Sequence, residues 1–142
     1  MCRVDLDYLS RVVGDIRQGL SESIVLMGRD RFARSVRARF SLRYTIIFVV
    51  ESASDIATSI LEKCFGVEAE SYRDCFVKLA EHGVITVETA ERMAALASLR
   101  NLVIYKYWTI DDLRIYDEAS GSGVESIRNF IREVEESAAR DP

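Results

Sequence analysis

Residues 44–64 read YTIIFVVESASDIATSILEKC, and the fold class turns on how that stretch is read. Cut out alone, Ile46-Ile47-Phe48-Val49-Val50 has the composition of a buried β-strand. Its surroundings overrule that reading. Ile46, Val49, Val50, Ala53, Ile56, Ala57, Ile60, Leu61 and Cys64 recur at gaps of three and four, the spacing of one helix face. Glu51, Asp55, Thr58 and Glu62 form an opposing polar stripe at the same steps, and no Gly or Pro interrupts them. The pattern predicts one long helix from about Arg31 to Cys64, ended by Gly66, and with it an all-α fold.

The flanking sequence extends the same pattern. From Val4 to Met27, Leu6, Leu9, Val13, Ile16, Leu20, Ile24 and Met27 make an amphipathic stripe, broken by Gly28 and Asp30. Ser71 is a candidate N-cap for a helix over Tyr72–Glu81, closed by His82-Gly83. Thr86, with Glu88 in the first turn, opens a further helix through Val87, Ala90, Met93, Ala94, Leu96, Ala97, Val103 and Ile104. After the acidic 109–112 segment, Ser120-Gly121-Ser122-Gly123 reads as a linker, and Val124–Ala138 as the last helix. The chain has only 7 Gly and 1 Pro, the latter at Pro142, too little turn punctuation for a strand-rich fold. The expectation is a single domain over 1–142, an antiparallel bundle of about five helices.

Composition narrows function weakly. With 49% hydrophobic and 30% charged residues the chain is neither disordered nor fibrous, and a net charge of −4 selects no partner. The charge is uneven: Arg29, Arg31, Arg34, Arg37, Arg39 and Arg43 face one acid, Asp30, between 29 and 43. That run reads either as a solvated helix start or as a phosphate-contacting face, since arginine's planar fork donates two hydrogen bonds at once. Cys2, Cys64 and Cys75 are odd in number and lack CxxC spacing, and His82 stands alone, so neither a disulfide framework nor a metal site is expected. No Gly-rich phosphate loop, signal peptide or apolar run of membrane-spanning length is apparent, which makes the cytoplasm the default location.

The segment densest in chemistry is RNLVIYKYWTIDD, residues 100–112. At about 100° per residue, Arg100 and Tyr107 fall within roughly 20° of each other on a continued helix, and Asn101 and Tyr105 share a second stripe. On physical grounds alone, Tyr105, Tyr107 and Trp108 are equally well core or interface aromatics with satisfied polar tips.

This string resembles the motif of the HepT-like family of HEPN domains, commonly written RNxLVHxYW and followed by an acidic pair. Arg100, Asn101, Tyr107, Trp108 and Asp111-Asp112 match it, and Tyr105 stands where the family has histidine. Arg43-Tyr44 leading to Glu51-Ser-Ala-Ser-Asp55-Ile56-Ala57, then Glu70-Ser71-Tyr72-Arg73 and Leu79–Ile85, resemble the family's second and third helices in order and separation. The resemblance implies a homodimeric helical bundle and a toxin with metal-independent ribonuclease activity. Its implied partners are RNA and a minimal nucleotidyltransferase acting as antitoxin. It places catalysis on Arg100, Asn101 and Tyr105 and RNA contact on Arg100 and Lys106. Tyr107 becomes the residue the nucleotidyltransferase adenylylates, and no metal or cofactor is implied.

Tyr105 does not inherit the histidine's role unchanged. A tyrosine in water titrates near pH 10, so about one in a thousand is phenolate at pH 7. His82 lies at the opposite end of the helix bearing position 105, roughly 30 Å away by helical rise. The alternatives to a nuclease are a non-catalytic HEPN module that binds nucleotide or RNA, or serves as the nucleotidyltransferase's partner, and a plain dimerisation bundle.

Overall fold

A computed structural model describes residues 28–140, together with 7, 8, 10–12, 14, 15 and 18. The helix expected over Val4–Met27 has its stripe Leu6, Leu9, Val13, Ile16, Leu20, Ile24 and Met27 outside the described residues. Among the described residues every regular element is helical. They are α1 (Arg29–Arg34), α2 (Val36–Ile60), α3 (Tyr72–Glu81), α4 (Val87–Tyr105), α5 (Asp112–Glu118) and α6 (Val124–Arg140).

Ile46, Val49 and Val50 lie within α2 and are buried, so the long-range helical spacing prevailed over local strand propensity. A π turn, Leu61–Phe65, prolongs α2, and Gly66 ends it at φ 62°, a backbone that favours glycine. The expected single helix from Arg31 to Cys64 is in fact two. Ser35 breaks it in extended conformation (φ −107°, ψ 108°) and its hydroxyl accepts the Ala38 N–H at 3.0 Å. That cap satisfies one orphan donor of the new helix. The bend lets Phe32 stack on Tyr116 with centroids 4.6 Å apart.

The caps at Ser71 and Thr86 form as expected, accepting from Asp74 N (3.0 Å) and Thr89 N (3.1 Å). Thr86 N also donates to Glu133 at 2.7 Å, tying the start of α4 to α6. Two expectations are corrected beyond Tyr105. The acidic 109–112 segment opens a helix, α5, because the Asp111 carboxylate accepts from Leu113 N and Arg114 N. Residues Ala119–Gly123 are no free linker but a π turn with a non-helical kink at Gly121, leading straight into α6.

The main core joins α2, α3, α4 and α6, with Phe76 and Phe130 meeting edge-to-face at 5.6 Å. Each such fully buried ring contributes about 1.5–3 kcal/mol relative to exposure. A second, smaller core of Phe32, Ala38, Leu42, Ile46, Val103, Ile115 and Tyr116 binds α1 and α5 to the first half of α2 and the end of α4. Val36–Phe65 is long and apolar enough to cross a membrane, contrary to the sequence expectation, but half of its most apolar window is buried inside the bundle. Cys64 is disulfide-bonded, which the odd cysteine count had not indicated, whereas Cys75 is a buried free thiol.

Candidate active site

The inward stripe of α4 runs Ala90, Met93, Ala94, Ala97 and then Arg100. Helical geometry therefore forces a guanidinium onto the face that the preceding turns bury. Arg100 is only 9% exposed, and a buried arginine persists only where partners compensate its lost hydration. Three helices supply them. Glu51 on α2 accepts from Nη2 at 3.1 Å, Asn101 accepts from Nη1 at 3.0 Å, and the Tyr72 ring at the start of α3 lies with its centroid 4.6 Å from Cζ. Nε is buried without a hydrogen-bond partner.

Burial pulls the Arg100 pKa down. The hydrogen bond to Glu51, attraction from Tyr72, a hydrogen bond with the Tyr105 hydroxyl and the Glu51 charge outweigh it, leaving the pKa above the ordinary arginine value. The cation is permanent. It forms part of the wall of a solvent-open groove of about 570 Å³, shared with Ser54, Ser71, Tyr72, Asn101 and Tyr105. One turn along α2, burial and the neighbouring Glu51 charge raise the pKa of Asp55.

A second ionic constellation lies beyond the end of α4, outside the groove lining. Arg43 donates from Nε and Nη2 to both Asp112 oxygens, at 2.7 and 2.8 Å, and Arg39 approaches the same carboxylate at 4.0 Å. Arg43 Nη1 also reaches the Tyr107 carbonyl at 3.5 Å. This holds the 3₁₀ turn Tyr107–Thr109, from which Tyr107 and Trp108 project, packed edge-to-face at 5.2 Å. Phe40 and Tyr44 on α2 are also exposed, and Arg43 lies over the Phe40 ring.

Comparison with known families matches residues 17–134 to the HepT-like family, described as ribonuclease HepT-like. The chain belongs to the HepT-like ribonuclease family. Among solved structures it is similar to the tri-AMPylated HEPN toxin of Shewanella oneidensis in complex with its MNT antitoxin. That match has a TM-score of 0.84 and 21% identity, over 92% of this chain and 98% of that one. It is also similar to YutE, a cytosolic protein of Bacillus subtilis (TM-score 0.82, 16% identity, 100% and 97% coverage). A toxin–antitoxin structure with AMP-PNP matches at a TM-score of 0.84 and 20% identity, covering 92% and 98%. Identities this low speak to the fold alone. A comparison with curated proteins found no match.

The HepT-like motif is split by the fold. Arg100, Asn101 and Tyr105 lie on α4 and share the groove. Tyr107 does not continue the Arg100 stripe, because α4 ends at Tyr105. Lys106 follows with φ −131° and ψ 39°, and its carbonyl accepts from Thr109 to close the 3₁₀ turn. Tyr107 is instead 60% exposed outside the groove lining. Lys106 is exposed at the helix end. Of the arginine run, Arg29 pairs with Asp117 at 3.0 Å and Arg39 and Arg43 with Asp112, so much of it staples α1 and α2 to α5. His82 stacks on Phe65 at 4.4 Å, at the end of α3 away from Tyr72, about 15 Å by helical rise. Sequence reasoning left Glu51 and Tyr72 out of the site. The available signal was their place in the ESASDIA and ESYR strings, but nothing in periodicity joins them to position 100.

Proposed function

We propose that this HepT-like chain is the toxin of a toxin–antitoxin pair and cleaves RNA at the Arg100 groove. The carrying observation is a permanent, buried guanidinium anchored by Glu51, Asn101 and Tyr72 in the wall of a groove open to solvent. A preorganised cation of this kind stabilises the charge that develops on a phosphate during transesterification. Asn101 orients Arg100, and the exposed Tyr105 hydroxyl donates a hydrogen bond or a proton. Lys106 adds RNA contact at the rim. No metal enters this reading, since protein groups carry the proton transfers.

The antitoxin is a minimal nucleotidyltransferase, in line with similar folds solved in complex with MNT antitoxins, one of them tri-AMPylated. Tyr107, exposed on a short turn, suits adenylylation by such a partner. Exposed Phe40, Tyr44 and Trp108 favour a homodimer. RNA substrate and ATP point to action in the cytoplasm.

One observation favours a second reading. Tyr105 replaces the motif histidine, which fits an RNA- or nucleotide-binding module that no longer cleaves. The test is incubation of the purified protein with total RNA in EDTA beside Arg100→Ala. Cleavage by wild type and its loss in Arg100→Ala supports the nuclease. Binding without cleavage, lost in the same variant, supports the module.

A further inference from the structure

If the groove cleaves RNA, some group must take the proton from the ribose 2′-hydroxyl, and a tyrosine hydroxyl is a poor base. We propose that the Glu51 carboxylate is that general base, so that a Glu51–Arg100 pair replaces the motif histidine. The inference rests on the ribonuclease reading above.

The geometry assembles the two roles on one pair. Glu51 Oε1 lies 3.1 Å from Arg100 Nη2, so a phosphate bound by the guanidinium sits beside this carboxylate. Although it anchors a buried cation, the Glu51 side chain is 47% exposed, one turn along α2 before the groove-lining Ser54. A general base must be within hydrogen-bond reach of its proton, and that exposure leaves a carboxylate oxygen open to substrate. Beyond the N–H groups given to Asn101, Glu51 and the Tyr105 hydroxyl, the two terminal nitrogens keep one N–H for a phosphate oxygen. His82 is far from Tyr72 and engaged with Phe65. Glu70 also lines the groove, but without a bond to Arg100.

The step balances. Glu51 takes the proton of the 2′-hydroxyl as O2′ forms a bond to phosphorus. The bond from phosphorus to O5′ breaks, and O5′ takes a proton from the Tyr105 hydroxyl. Products are a 2′,3′-cyclic phosphate and a 5′-hydroxyl, and proton exchange with water resets Glu51 and Tyr105.

The experiment measures single-turnover cleavage and binding of an end-labelled single-stranded RNA pool by full-length wild type, Glu51→Gln, Glu70→Gln, Tyr105→His and Glu51→Gln/Tyr105→His. Gln keeps an acceptor for Arg100 but cannot take a proton. Expected is a rate loss on the order of 10²–10³ in Glu51→Gln with binding within about two-fold, and recovery in the double variant to the Tyr105→His rate. Four results overturn the proposal. They are wild-type cleavage by Glu51→Gln, a matching loss of RNA binding, a double variant as inactive as Glu51→Gln, and rate loss in Glu70→Gln instead. Cleavage by Tyr105→His from a silent wild type also rejects Glu51 as base while leaving the nuclease reading intact. Silence from both wild type and Tyr105→His rejects the nuclease reading, and this proposal with it.

Discussion

Removing the Asp112 carboxylate should cost more stability than removing any other ion-pairing acid at the surface of α5. Asp112 is 8% exposed and accepts both arms of Arg43, whose own side chain is 20% exposed. Truncating one member of a fully buried pair costs about 3–5 kcal/mol, because the remaining charge is stranded. Arg43 retains some water and Arg39 stands near, so we expect about 2–3 kcal/mol for Asp112→Ala. With a urea m-value of about 2 kcal/mol/M, the midpoint should fall by roughly 1–1.5 M, read by circular dichroism at equilibrium. Asp112→Asn, which keeps one acceptor, should lose less. The Arg29–Asp117 pair is the internal contrast: both side chains are more than half exposed, and Asp117→Ala should leave the midpoint unchanged. A midpoint for Asp112→Ala within about 0.2 M of wild type, or equal to that of Asp117→Ala, would refute the reasoning. Because Arg43 also holds the Tyr107 carbonyl, Asp112→Ala should in addition loosen the turn carrying Tyr107 and the exposed Trp108, seen as a fall in the fluorescence anisotropy of Trp108.

Tyr105→His should cleave RNA in EDTA faster than wild type, by about 10²-fold or more, and adding Arg100→Ala should abolish the gain; no gain would sink the argument from the missing histidine. Incubation with the cognate nucleotidyltransferase and ATP should add adenylate mass to wild type but not to Tyr107→Phe, and an unchanged mass with an active partner removes Tyr107 as the target. Light scattering at micromolar concentration should give a dimer, and a monomer there counts against the exposed aromatics as its interface. Burial pushes the Cys75 thiol up to about 11, against an ordinary value near 9, with a smaller opposing effect from Ser54. A raised folded pKa gives stabilisation that is complete below pH 9 and lost as pH climbs through 11. Stability should therefore drop by about 2–3 kcal/mol across that window. Cys75→Ala should lack that part of the slope, and an identical slope in both proteins defeats the claim.

Local and periodic features of this chain were legible without coordinates. The stripe from Ile46 to Cys64 outvoted the strand-like Ile46–Val50, and Ser71 and Thr86 cap where their side chains can reach an orphan N–H three residues on. These are interactions within one turn or along one face, and a helix repeats its geometry every few residues, so spacing alone reports them. The break at Ser35 and the start of α5 at Asp111 depended on more than spacing. Each is a weak local cap that takes effect because Phe32 and Tyr116, 84 positions apart, gain a shared core by stacking. The site divides the same way. Arg100, Asn101 and Tyr105 stand out in the string, but Glu51 and Tyr72 join them only when α2 and the start of α3 pack against α4. Tyr107 leaves their stripe because the helix stops at Tyr105, where Arg43, itself bound to Asp112, takes hold of the turn. Pairing partners drawn from separate helices carry no periodic signature, since the energy that joins them arises only once burial has removed the water that would otherwise solvate each charge.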